Sequence, residues 1–240
     1  MLVLGIADPY TSKKYEIAVC VAGITIHGDF RRVYSIPLKD YYRNPFKKFQ
    51  YIRYEALGKG SDFRRESRKI DMKSIEPLKF ASPVTVAQKI REFGSPSVKY
   101  IRKRTRSSLG IIKPQIDNFY TEYRKYARTA KYSRPRSTKR IINLLPFWVK
   151  FKFSCQSQSC SGHSIICEDI EIGNYYRRLL DQMHGRETAK RVEDKMNNFL
   201  DETTPYFLMG THRRYSNASL IISIINPQAK HFYAYRRRET

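Results

Sequence analysis

The sequence predicts an α+β protein with a β-rich N-terminal module, a basic helical or loop connector, and a C-terminal small sheet carrying a helical pair. Three observations predict it. The first 75 residues hold short runs rich in Val, Ile and aromatic side chains, separated by turn residues. From residue 147 onward the hydrophobic periods run strand, strand, helix, helix, strand, strand. Between these parts lies the stretch 124–140, with eight Lys or Arg and no Asp or Glu, too charged to bury itself. The expected division is 1–75, 76–145 and 146–240.

In the N-terminal module, residues 2–6 and 16–24 are apolar strands joined by the polar turn DPYTSKK. Gly28-Asp29 turns the chain into 30–36, where Phe30, Val33, Tyr34 and Ile36 mix with the pair Arg31-Arg32. Residues 49–57 alternate, with Tyr51, Arg53 and Glu55 on one face and Ile52, Tyr54 and Ala56 on the other. The string Gly58-Lys59-Gly60-Ser61 lacks the GxxxxGK[ST] spacing of a phosphate loop. It is read as a basic surface loop touching backbone phosphates, with nucleotide binding as the alternative.

The connector opens on Ser82-Pro83, an N-cap followed by a proline suited to the first helical position, and Val86, Ile90 and Phe93 follow at helical spacing until Gly94. A second short helix over 97–106 would carry Lys99, Arg102, Lys103, Arg104 and Arg106 on its solvent side. Pro114 breaks any long helix in 111–123. The basic run then supplies Arg124, Lys125, Arg128, Lys131, Arg134, Arg136, Lys139 and Arg140. Phe119, Tyr120, Tyr123, Tyr126 and Tyr132 are interleaved with these cations, a composition that grips phosphates and stacks on exposed bases. The plainer alternative buries half of these tyrosines in a core.

In the C-terminal part, 147–154 alternates Phe147, Val149, Phe151 and Phe153 against Trp148, Lys150, Lys152 and Ser154. Residues 165–170 form the next strand, and helices follow over 173–183 and 187–201. In the second helix Ala189, Val192, Met196 and Phe199, with Leu200, make one apolar face. Strands over 206–209 and 220–225 close the sheet.

The chain has 46 Lys plus Arg against 22 Asp plus Glu, a formal charge of +24, which points to nucleic acid as the partner. A membrane surface would call for an amphipathic basic helix or an apolar insertion segment, and the sequence offers neither. No apolar run approaches the roughly 18 residues of a spanning helix. Residues 1–7 lead directly into Asp8-Pro9 and read as a first strand rather than a signal sequence, so a cytoplasmic location is expected.

Cys155, Cys160, His163 and Cys167 form C-x4-C-x2-H-x3-C, a set able to complete a tetrahedral structural zinc site. A hairpin with buried free thiols, or a disulfide between two of them, is the alternative. Cys20, between Val19 and Val21, is a small core residue. Glu168, Asp169 and Glu171 form the one acidic cluster. A metal-dependent nuclease site built on them is the alternative to a helix N-terminal charge effect or salt bridges to arginines. The expectation is a protein with no catalytic residues. His212, with Arg213-Arg214, is a further candidate phosphate contact.

The strings ADPYTSKKYEIAVCVAGI, FRRVYSIPLKDY, DFRRESRKI, SSLGIIKP and FSCQSQSCSGHSIICEDIEIGNYYRRL resemble, in the same order, a family of uncharacterised prokaryotic proteins spanning nearly the whole chain. The chain departs from that pattern at Ala7-Asp8, in place of Gly-Lys, and at Cys20-Val21-Ala22, in place of Cys-Thr-Ala. In size and charge it is also similar to the small companion proteins of truncated archaeal Argonautes. That resemblance implies a non-catalytic subunit of a defence complex. It would supply the missing N-terminal and linker portions, help hold the guide and target duplex, and have a truncated Argonaute as its protein partner.

Overall fold

The computed structural model describes residues 1–12, 14–59, 62–103, 107–124, 129–133, 139–180, 182–183, 186–212 and 218–227. It is a mixed α+β structure. Strands β1 (Leu2–Ile6), β2 (Tyr10–Ser12), β3 (Glu16–Ile24) and β4 (Phe30–Pro37) lead through helix α1 (Leu38–Arg43) to β5 (Gln50–Arg53), β6 (Ser67–Arg68) and β7 (Glu76–Phe80). They form one sheet in the order β6-β4-β3-β1-β5-β7, with β2 paired to β3. Helix α2 (Pro83–Phe93) follows, then β8 (Gly94–Ser95), α3 (Val98–Lys103), β9 (Leu109–Ile112) and β10 (Gln115–Tyr123). A two-stranded hairpin of β11 (Thr129–Ser133) and β12 (Lys139–Asn143) precedes β13 (Phe147–Ser154), β14 (His163–Cys167), α4 (Ile170–Leu179), α5 (Arg186–Glu202), β15 (Tyr206–Thr211) and β16 (Ser219–Ile225). The second sheet runs β10-β13-β14-β16-β15-β9-β8.

The two sheets pack face to face, and three apolar cores result. Leu2 and Leu4 of β1 meet Leu208 and Ile222 between the sheets, while Val3 and Ile6 face the other way, onto Leu38, Phe46 and Ile142. β1 is therefore covered on both faces, which explains why it is apolar throughout instead of alternating. Gly5 permits the close approach, since a Cβ there would lie 2.7 Å from the Cβ of Ser223. The helix-covered face of the second sheet buries Phe147, Val149, Phe151 and Phe153 under α4 and α5, which contribute Tyr176, Val192, Met196 and Phe199. Rings in this core meet edge to face, as in Phe151 against Phe207 at 4.9 Å.

Helix α2 begins as the sequence predicts. Ser82 accepts from the Thr85 N–H at 3.1 Å, Pro83 opens the first turn, and Val86 and Ile90 are buried. The segment expected to be a basic helical connector differs. Among its described residues only α2 and α3 are helical, and on either side of Pro114 the chain forms β9 and β10, both strands of the second sheet. The β-branched and aromatic residues of 109–123 pair with β15 and β13, so tertiary pairing settles a stretch whose charge masks its period. The strand expected over 49–57 is shorter, ending at Arg53.

Candidate nucleic-acid interface and metal centre

The outward face of β10 and β13 carries the aromatic and cationic residues that the alternation sends away from the core. Glu122 stands opposite Trp148, Tyr120 opposite Lys150, and Asn118 opposite Lys152. The Arg124 guanidinium lies 3.6 Å from the Trp148 ring centroid, and the Arg124 N–H donates to the Pro146 carbonyl at 2.8 Å. Lys152 stands 5.6 Å over the Tyr120 ring, and Lys150 is hydrogen-bonded to Glu122. Of the tyrosines and phenylalanine weighed as stackers, Phe119 is buried and Tyr120 stands on this face, whereas Tyr123, though exposed, lies on the opposite face with its ring 5.9 Å from that of Phe147.

Lys99, Arg102 and Lys103 are exposed on α3, as expected. Val98 and Ile101 seat that helix on the same core as Phe147 and Phe151. Its cations therefore lie on the opposite face of the second sheet from Trp148. Lys131, Lys139 and Arg140 belong to the β11–β12 hairpin, which pairs Lys131 with Ile141 and Tyr132 with Arg140. Arg104, Arg106, Lys125, Arg128, Arg134 and Arg136 lie outside the described residues.

The Cys/His turn brings three of its four candidates together. The ligand atoms of Cys155, Cys160 and His163 all lie within 4.8 Å of one another and form a group that could hold a metal ion. His163 Nε2 is 3.3 Å from each of the two sulfurs. Burial pushes the Cys155 thiol up to about 11. For Cys160 partial burial works against the thiolate, but N–H donors from Cys155 and Gly162 outweigh it and hold the pKa below the ordinary thiol value. Burial lowers the pKa of His163, leaving a neutral imidazole with a lone pair to donate.

Cys167 is not part of this group, and the expected four-ligand set is corrected on that point. It sits at the far end of β14 from His163, and at about 3.3 Å per residue a strand places it roughly 13 Å away. It is buried opposite Val149, and burial raises its pKa well above that of a free thiol. All four cysteines are free thiols, so no disulfide ties the turn.

The acidic cluster is organised by a residue that sequence spacing could not supply. Lys48, only 5% exposed, reaches Asp169 Oδ2 at 3.0 Å, Glu171 Oε2 at 2.9 Å, Ser223 Oγ at 3.0 Å and the Ile224 carbonyl at 2.9 Å. Burial works against its charge, but the two carboxylates outweigh it and raise the Lys48 pKa. Asp169 also accepts from Ser223 Oγ and the Ile224 N–H at 2.7 Å each, and caps α4 by accepting from the Glu171 N–H at 2.9 Å. Its acceptor positions are thus filled by protein donors. Lys48 comes from the first sheet's half of the chain and the acids from the second, so the cluster clamps one half to the other.

A cavity of about 320 Å3 opens where the two sheets meet, beside the bridge between Ala7 and Asp169. Arg32, Arg64, Arg124 and His212 line it together with Asp8, Glu168, Tyr34 and Trp148. Arg64 is held by a fork of bonds to Asp62, the shortest 2.6 Å, by the Thr211 carbonyl at 2.7 Å, and over the Tyr34 ring at 5.2 Å. Asp8 bonds Arg177 at 2.7 Å, yet burial outweighs that cation and raises its pKa. Burial and the neighbouring Asp8 also raise Glu168, against the pull of Arg124 and Arg32. Of these residues the sequence had offered Arg124, His212 and Glu168. Arg32 had a signal that went unused: on a strand, the parity that turns Arg31 outward turns Arg32 inward with Tyr34.

Fold and site define a two-sheet α+β protein with an aromatic and cationic strand face leading into a cation-lined cavity. The chain belongs to the family described as domain of unknown function DUF8757, whose model matches residues 95–239. Residues 1–93 match a second model, domain of unknown function DUF8758. The junction falls at Gly94, where α2 ends and the first strand of the second sheet begins. No curated protein and no solved structure matches the chain.

Proposed function

We propose that the protein is a non-catalytic nucleic-acid-binding subunit that holds a strand on the outward face of β10 and β13. The observation that carries this reading is the pairing of cation and ring on that face, Arg124 on Trp148 and Lys152 over Tyr120. Cations meet phosphates there while flat rings remain for bases, in a chain with a net charge of +24. Electrophoretic retention of single-stranded and duplex oligonucleotides at increasing salt tests it. Contact with about six phosphates gives a log-log slope near −5 on duplex DNA, and retention independent of salt would refute the reading.

A nuclease built on Glu168, Asp169 and Glu171 is the competing proposal, and the filled acceptor positions of Asp169 weigh against it. Incubation of labelled DNA and RNA with magnesium or manganese decides between them. Cleavage that is lost in Glu171→Gln would overturn the non-catalytic reading. Co-purification from the native host tests for the protein partner, a truncated Argonaute in the expectation above.

The metal at the turn is proposed to be zinc, held by Cys155, Cys160 and His163 as a structural pin on the β13–β14 connection. Two thiolates and an imidazole suit that ion and leave a fourth position for a group outside this set.

A further inference from the structure

We propose that the cavity between the sheets receives one nucleotide of the bound strand, its phosphate directed to Arg32 and its base lodged beside Arg124 and Trp148. The inference rests on the nucleic-acid reading above and names the ligand of that site. Arg32 is the reason for an anion. It is 3% exposed, its Nη1 reaches only the Cys20 sulfur at 3.5 Å, and its Nη2 reaches Ser108 at 3.3 Å and 3.4 Å. Its Nε has no hydrogen-bond partner, and it forms no ion pair among the described residues. The hydrogen bonds this buried guanidinium makes among the described residues go to neutral groups, Cys20 and Ser108, and a phosphate entering the cavity would supply charge-assisted acceptors.

Size and lining make the ligand more than a bare phosphate. About 320 Å3 falls at the lower end of small-molecule sites, which run to roughly 300–1,000 Å3, and an inorganic anion would leave most of the cavity as unfilled space. Trp148, Tyr34, Leu220 and Ile222 give it apolar and aromatic walls. Of the two carboxylates present, Asp8 is engaged by Arg177, and Glu168 supplies an acceptor of the kind that takes the amino group of cytosine. Arg124 and Trp148 both line the cavity, and Trp148, with Arg124 stacked on it, stands on the outward face of β13, so a strand on that face lies next to the opening.

Trp148 is the only tryptophan of the chain, so its fluorescence reports occupancy directly. The full chain is titrated with cytidine monophosphate, cytidine and inorganic phosphate, with calorimetry alongside. Saturable quenching by the monophosphate is expected, with cytidine and phosphate each at least about tenfold weaker, as befits losing hydrogen bonds to a charged group or losing the base. Arg32→Gln should abolish the preference for the monophosphate over cytidine. Because Arg32 also bonds Ser108, Arg124→Gln is measured beside it by calorimetry, each variant first checked for a cooperative thermal transition. Arg124→Gln should weaken the monophosphate at least tenfold. Equal affinity for cytidine and its monophosphate, or no saturable signal, would overturn the proposal. Oligonucleotide retention is measured on the same samples. Retention without monophosphate binding overturns the pocket alone, and monophosphate binding without retention overturns the strand-binding reading and leaves the pocket standing.

Discussion

Lys48→Met is the sharpest test of how the two halves are joined. The substitution keeps a long unbranched side chain but deletes an ammonium bound to Asp169, Glu171, Ser223 and the Ile224 carbonyl in a site where Lys48 is 5% and Asp169 2% exposed. Removing one partner of a buried pair leaves the other charge uncompensated, at a cost of about 3–5 kcal/mol. For a chain of this length each kcal/mol shifts the melting temperature by about 2–4 °C, so a fall of roughly 6–20 °C is expected. Thermal and urea unfolding at pH 7 measure it. Arg53→Met is the control, because the Arg53–Glu76 pair is largely exposed and such pairs contribute about 0–1 kcal/mol. The pH dependence carries a sign of its own. A lysine whose folded pKa is raised lends its stability in full below the ordinary value of 10.5 and loses it as the pH climbs through the folded value. A Lys48→Met shift no larger than that of Arg53→Met would refute the clamp.

Glu168, raised by burial, should oppose folding once it ionises. Stability of the unaltered protein should fall relative to Glu168→Gln as pH rises above about 4.5, the ordinary glutamate value, and parallel pH profiles of melting temperature would contradict this. Cobalt or zinc titration should show one ion bound with thiolate charge-transfer absorption, lost in Cys160→Ser and kept in Cys167→Ser, because Cys167 stands apart from the group. Trp148→Ala should weaken oligonucleotide retention by about 1–3 kcal/mol if one base stacks on the β10–β13 face, and an unchanged binding isotherm would place the strand elsewhere.

What could be read in the sequence was what depends on near neighbours. Ser82 and Pro83 announce α2, and Ala189, Val192, Met196 and Phe199 announce the buried stripe of α5. The alternation of 147–154 correctly sorts four buried residues from Trp148 and the lysines. Harder to see was what depends on which strands become partners. Residues 109–123 carry no clean period, yet β9 and β10 take their places in the second sheet by pairing with β15 and β13. Lys48 meets Asp169 across more than a hundred intervening residues, so no local pattern could couple them. Cys167 looked like a fourth ligand because sequence spacing ignores the length of an extended strand.

The position of β1 has a consequence for how the chain matures. Leu2 and Leu4 leave the ribosome well before their companions Leu208 and Ile222, which emerge roughly 200 residues later, and at about 5–20 residues per second that is a wait of tens of seconds at the slow end. Throughout that interval the inner surface of the first sheet has nothing to rest against. Nascent chains of this protein should therefore be chaperone clients until β16 is made. Either half expressed by itself should precipitate, whereas the two expressed side by side should rescue one another.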